Sequence, residues 1–401
     1  MTALRIMAAV FGAFLASGAA ARASEFEQYC NLDGFAAPVR QTLIVLDEQH
    51  VFPESGKAQE PRNASWRRFV GNLVSAEPAA LEQNFVPRER VTILIARKDG
   101  AGMRSVFTGC LPFFSAEERA AIAKGAGYKS RIDDFFGTGP VANAKKSMDL
   151  FRIRVGEGFQ EALQPAALSA ASAGGTADIV ASGLVSSLKQ GNVVNLNYGI
   201  PRIVLYSDMT RFFANVVAGA KGRQIGLEKG IAANLNLKGA EVYVAGMSGG
   251  AGARDALEMF FLSARAELAG ASAASSLPNF APNATQIRRF QGTIQWVGAR
   301  LPIRIRLATD RNGTVVNSWI FVNTEIEQFN PFHGVVTCAS ETSCKFAGDE
   351  TFAQVWNPDR AVAGTAALNA DMPFGGARTL EFATENGVAK GADRKSTRLN
   401  S

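Results

Sequence analysis

Three oxygen-bearing side chains stand where this chain could do chemistry: Asp47, Thr176 and Asp208. Asp47 closes the apolar run Leu43-Ile44-Val45-Leu46, and Asp208 follows Leu205-Tyr206-Ser207. Thr176 follows Gly174-Gly175 at the head of a helix-like stretch. In parallel α/β sheets, functional groups gather where strands end and strand-to-helix loops begin. Two carboxylates and a hydroxyl form an all-oxygen shell, which suits a hard divalent cation that keeps several waters. Gln49, two residues past Asp47, adds an amide oxygen. The same carboxylates equally suit helix N-capping or loop hydrogen bonding at strand ends.

The other reactive residue types are few. Histidine occurs only at His50 and His333, which limits metal and triad chemistry. His50, close to Asp47 and Glu48, reads as an exposed loop residue rather than a general base. The loop 246–252 follows a strand and precedes a helix, as a dinucleotide loop does. It lacks a second βαβ half and an acid on a following strand, so no nucleotide cofactor is expected. The four cysteines are Cys30, Cys110, Cys338 and Cys344. None has the Cys-x-x-Cys spacing that zinc favours. An even count in an exported chain predicts two disulfides, and sequence alone allows three pairings. Cys30 with Cys110 and Cys338 with Cys344 keep each bridge within one predicted domain.

These positions need elements to hold them. Residues 42–46 are continuously apolar, as parallel strands buried on both faces are. Residues 90–96, 201–206 and 240–245 read the same way, and 104–107 can pair with 90–96 across the Asp99-Gly100 turn. Helical spacing runs over 65–76, where Trp66, Phe69, Val70 and Leu73 share a face. Residues 115–124, 141–163, 177–189 and 256–269 also read as helices. This alternation predicts an α/β fold, a mostly parallel doubly wound Rossmann-like sheet with helices on both faces. Residues 271–283, small and Pro-containing, read as a linker. Beyond it the period becomes two. Residues 291–297, 303–309, 315–322 and 334–338 predict a small antiparallel β domain over 284–392. Asn312-Gly313 suits a type I′ hairpin turn, and the run from Asp310 reads as that turn rather than a calcium loop.

Residues 38–270 resemble the von Willebrand factor A domain. The resemblance lies in Leu43-Ile44-Val45-Leu46-Asp47, Gly174-Gly175-Thr176-Ala177-Asp178, Leu205-Tyr206-Ser207-Asp208 and Val242-Tyr243-Val244-Ala245-Gly246-Met247. It implies a metal-dependent adhesion site in which Asp47, Thr176 and Asp208 fill three roles. That family has serines two and four residues past the first aspartate, whereas this chain has Gln49 and Val51. A valine cannot ligate a cation. The resemblance therefore implies a degenerate site with no cofactor, or weak Mg²⁺ at Asp47, Gln49, Thr176 and Asp208.

The termini and the charge set the setting. Arg5, the apolar stretch 6–21 and the small-x-small site Ala21-Arg22-Ala23 read as a cleavable signal peptide over 1–23. The mature α/β domain then covers 24–270, and the protein is expected in the periplasm or outside the cell. No later stretch is apolar enough to span a membrane. Residues 393–401 resemble the translation of a sequencing adapter and are expected to be artefactual, with the β domain truncated. Of the formal net charge of +6, the signal carries +2 and the tail +2, leaving +2 for 24–392. So near-neutral a chain gives no reason to expect nucleic acid as a partner. The expected function is binding: a degenerate adhesion-type module presenting strand-end loops to a protein partner. An Mg²⁺-dependent phosphohydrolase is the enzymatic alternative. There Asp47 would be the nucleophile, as in haloacid dehalogenase-like phosphatases, and Asp208 would help hold the metal. A structural envelope protein is the third.

Overall fold

The computed structural model describes residues 26–30, 38–51, 84–97, 100–125, 140–163, 182–190, 199–207, 216–247, 250–272, 286–296, 299–322, 328–340, 343–354, 362–373, 378–385 and 388–392, with single positions between them. The chain divides into two compact units, residues 1–207 with 275–277 and residues 208–274 with 278–401.

In the first unit the continuous apolar runs are strands, as their composition demands. β1 (Arg40–Asp47) has seven buried residues before the half-buried Asp47. α1 (Glu48–Val51) follows at once. β2 (Arg90–Ala96) and β4 (Ile200–Tyr206) flank β1, both parallel to it. β3 (Met103–Cys110) pairs antiparallel with β2 at the edge, as the Asp99-Gly100 turn suggested. Three helices complete the unit: α2 (Ala116–Gly125), α3 (Pro140–Leu163) and α4 (Ser182–Gln190). Most of the helix expected over 65–76 lies outside the described residues, though Phe69 is buried. Phe107 of β3 packs its ring edge-on against Phe151 of α3, with centroids 5.2 Å apart.

The second unit opens with an element the periodicity did not announce. α5 (Ala220–Ala233) carries glycines at 222, 226 and 230, which dilute any apolar stripe. Those glycines are why it can pack. α6 (Ala251–Ser263) lies so close that a Cβ on Gly226 would sit 2.0 Å from the Ala256 carbonyl oxygen. β5 (Ala240–Ala245) is wholly buried. The helix expected over 256–269 instead ends at Ser263. Arg265 takes a φ of 59° and turns the chain into β6 (Ala266–Ser272), parallel to β5. Pairing with β5 outweighs the helical propensity of Ala266, Glu267 and Leu268, because tertiary ladders override weak local preference.

Period-two segments then build one eight-stranded sheet. Its members are β7 (Gln286–Trp296), β8 (Ala299–Thr309), β9 (Ser318–Val322), β10 (Gln328–Ser340), β11 (Ser343–Gln354), β12 (Val362–Pro373), β13 (Arg378–Glu385) and β14 (Val388–Ala392). Their spatial order is β12-β11-β10-β9-β8-β7-β13-β14. Neighbours run antiparallel except β7 with β13. The turn after β8 is not type I′: Gly313 has φ 79°, whereas Asn312 does not take positive φ. Asp310 holds it instead, its Oδ1 accepting from the Asn312 and Thr314 amides at 2.8 and 2.9 Å. That side-chain turn supplies locally what two left-handed residues would otherwise provide.

Candidate functional site

The chain leaves β1 toward β2 on one side and later returns as β4 on the other. The carboxyl ends of β1 and β4 therefore flank a topological switch point, where open α/β sheets hold ligands. Asp47 ends β1. Leu46 pairs with Tyr206 in register, so the next residues, Asp47 and Ser207, meet. The Ser207 hydroxyl, 1% exposed, donates to Asp47 Oδ2 at 2.5 Å. One carboxylate oxygen is thus committed to a neighbouring strand, and the half-buried group faces the loop end of the sheet.

Of the expected ligand set, the structure places Asp47. Gln49 lies in α1, with its side chain outside the described residues. Thr176 and Asp208 also lie outside them. Sequence reading passed over Ser207, which stands directly before Asp208. Its signal was the strand register, invisible until β4 is laid beside β1.

His50 departs from its expectation as an exposed loop residue. It lies within α1 and is buried, and its ring stands 4.9 Å from Tyr206 in an edge contact. Phe69 approaches the same Tyr206 ring at 5.6 Å. Tyr206 of β4 therefore anchors an aromatic cluster near the switch point. That arrangement can fix loops and offer a hydrogen-bonded acid to a partner.

At the opposite, amino-terminal end of the same strands lies a second charged group. Glu89, just before β2, is fully buried. Arg40 of β1 grips it in a fork, Nε to Oε1 at 3.1 Å and Nη2 to Oε2 at 2.9 Å. Arg202 of β4 reaches Oε1 at 3.2 Å and gives its Nε to Thr42 Oγ1 at 2.8 Å. Thr42 and the Val86 amide also donate to Glu89. Burial pushes the Glu89 carboxyl upward, but the two guanidiniums and the hydrogen bonds overcome this and hold it below its ordinary value. Sited away from the loop end, this network serves the sheet rather than a ligand.

A disulfide joins Cys30 to Cys110, as expected. It ties a short N-terminal segment to β3, where Phe26 packs edge-on against Phe151 and Glu27 pairs with Arg90 at 3.0 Å. Cys338 and Cys344 stand directly opposite in the β10–β11 register, and their side chains lie outside the described residues. Among the described residues no helix is long and apolar enough to cross a membrane. No protein-family model matches the chain, and neither a curated protein nor a solved structure is significantly similar to it.

Proposed function

We propose that this chain is an exported binding module of the von Willebrand factor A type. It presents the loops at the carboxyl ends of its parallel strands to a protein partner, without a functional metal site. The observation that carries the reading is the Asp47–Ser207 hydrogen bond at the switch point. It fastens the two central strand ends and gives the adjoining loops a rigid base, the arrangement from which loops on scaffolds bind. Support for the family type comes from β1 lying between parallel β2 and β4, with an antiparallel β3 at the edge. The Cys30–Cys110 bridge fits an oxidising compartment, periplasmic or extracellular.

The test is affinity capture of envelope and extracellular proteins on the mature chain. A specific partner should be retained in the presence of a chelator and lost when residues 48–51 or 208–212 are replaced by Gly-Ser segments. Retention that needs Mg²⁺ or Mn²⁺ and vanishes in Asp47→Ala would restore a metal-dependent adhesion site. Asp47-dependent cleavage of a phosphate ester would establish the phosphohydrolase instead.

A further inference from the structure

The second unit holds a histidine in an acidic setting far along the chain from the switch point. His333 lies in β10 and Glu267 in β6. The imidazole Nε2 stands 2.5 Å from Glu267 Oε1, a direct ion-pair contact when the ring is protonated. Two further carboxylates border this pair through the sheet registers. Glu241 of β5 is opposite Glu267, and Asp349 of β11 is opposite His333. α6 contributes Arg254 and Glu258 to the cleft around the pair, and Glu258 in turn meets Arg223 of α5 at 3.7 Å. The cleft measures about 320 Å³, with Leu262 and Pro331 among its walls.

We infer that His333 is a proton-operated latch: when protonated it fastens β10 to β6 through Glu267, and when neutral it lets the two strands part. The inference is independent of the strand-end loops, since it uses other elements and another chemistry. Its basis is placement. One imidazole links an antiparallel strand to a parallel one, and carboxylates from three strands border it, with the Arg254 guanidinium also lining the cleft. A neutral imidazole can still offer one N–H to Glu267, but it loses the charge that the three acids stabilise. The hydrogen bond from Glu267 raises the His333 pKa above the ordinary 6.5; burial opposes this, and the charges of Glu267, Asp349 and Glu241 add to the rise. A group with a raised folded-state pKa contributes fully below its unfolded value and loses that contribution as pH climbs through the folded value. The latch is therefore closed on the acid side of the raised His333 pKa and opens as pH climbs through it. His333 is half exposed, so the proton reaches it without unfolding.

The chain has two histidines, so its imidazole NMR spectrum is easily assigned, with His50→Gln identifying the other ring. On the full chain, His333 should titrate above 6.5, and Glu267→Gln should bring it back to or below that value. Amide exchange, corrected for intrinsic base catalysis, should rise in β6 and β10 as pH climbs through the His333 pKa read by NMR. In Glu267→Gln and in His333→Asn it should be raised already on the acid side of that pKa and show no such step. A His333 that titrates at or below 6.5 in the unmodified chain overturns the inference. So does exchange in β6 and β10 that ignores both pH and the two substitutions.

Discussion

The hydroxyl of Ser207 meets Oδ2 of Asp47 at 2.5 Å, so the two central parallel strands are joined at their carboxyl ends by a side-chain bond. Replacing Ser207 by Ala should cost about 1–2 kcal/mol, between neutral and charge-assisted values because Asp47 is half exposed. Asp47→Ala should cost a similar amount, since it removes the acceptor from a buried hydroxyl. Asp47→Asn keeps an acceptor and should cost less. Urea unfolding of the three variants checks the order. Calorimetry with millimolar Mg²⁺ should show little heat for the unmodified chain.

Glu89 pairs with two buried guanidiniums, those of Arg40 and Arg202. Glu89→Gln would remove the anion that both guanidiniums share, and should cost about 3–5 kcal/mol. The pH dependence has a definite sign. The folded pKa lies below the ordinary 4.5, so this contribution is complete above that value and is lost as pH falls through the folded pKa. Stability measured in urea from neutrality down to about pH 3 should fall in the unmodified chain. The fall should be smaller in Glu89→Gln. Equal slopes for the two proteins would mean that Glu89 is not held ionised.

Two glycines should respond in opposite directions to the same substitution. Gly226→Ala forces a Cβ to within 2.0 Å of the Ala256 carbonyl oxygen, where only backbone can yield. The cost should lie at the upper end of roughly 1–3 kcal/mol. Gly156 in α3 has nothing within 4 Å of the added Cβ, so Gly156→Ala should stabilise by about 0.5–1 kcal/mol. Thermal melts of the pair, done side by side, test both signs.

The Cys30–Cys110 bridge spans 80 residues of chain. In the chain-entropy view, a loop of that length contributes about 4–5 kcal/mol by restricting the unfolded state. Cys110→Ser should lower stability by up to that amount. Cys338 and Cys344 are cross-strand partners, close enough in an antiparallel pair for a bridge. Denatured, unreduced protein should therefore show no reactive thiol in a colorimetric titration. Two thiols per chain would mean that the β10–β11 pair stays reduced.

The sequence by itself determined the strands that are buried on both faces. β1, β2, β4 and β5 were legible because each holds a short apolar run at its centre, and such a run has few other uses. It also determined the shift to antiparallel pairing after the α/β region, while Cys30–Cys110 was one of three pairings it allowed. Asp47 was legible as a candidate because it ends such a run.

Only the tertiary structure decided what each polar residue meets. Ser207 became the partner of Asp47 through the β1–β4 register, which joins residues 160 apart. Arg40, Glu89 and Arg202 are charges that composition assigns to the surface. They are buried because three distant strand starts converge, so that two guanidiniums share one carboxylate. α5 escaped notice because its glycines, chosen for close approach to α6, erase the apolar stripe that marks a helix. β6 became a strand because β5 offered it a ladder. Apolar periodicity is a local property of the chain and can be read along it; partners for charge, hydroxyl and backbone are fixed by register, which exists only once distant segments have met.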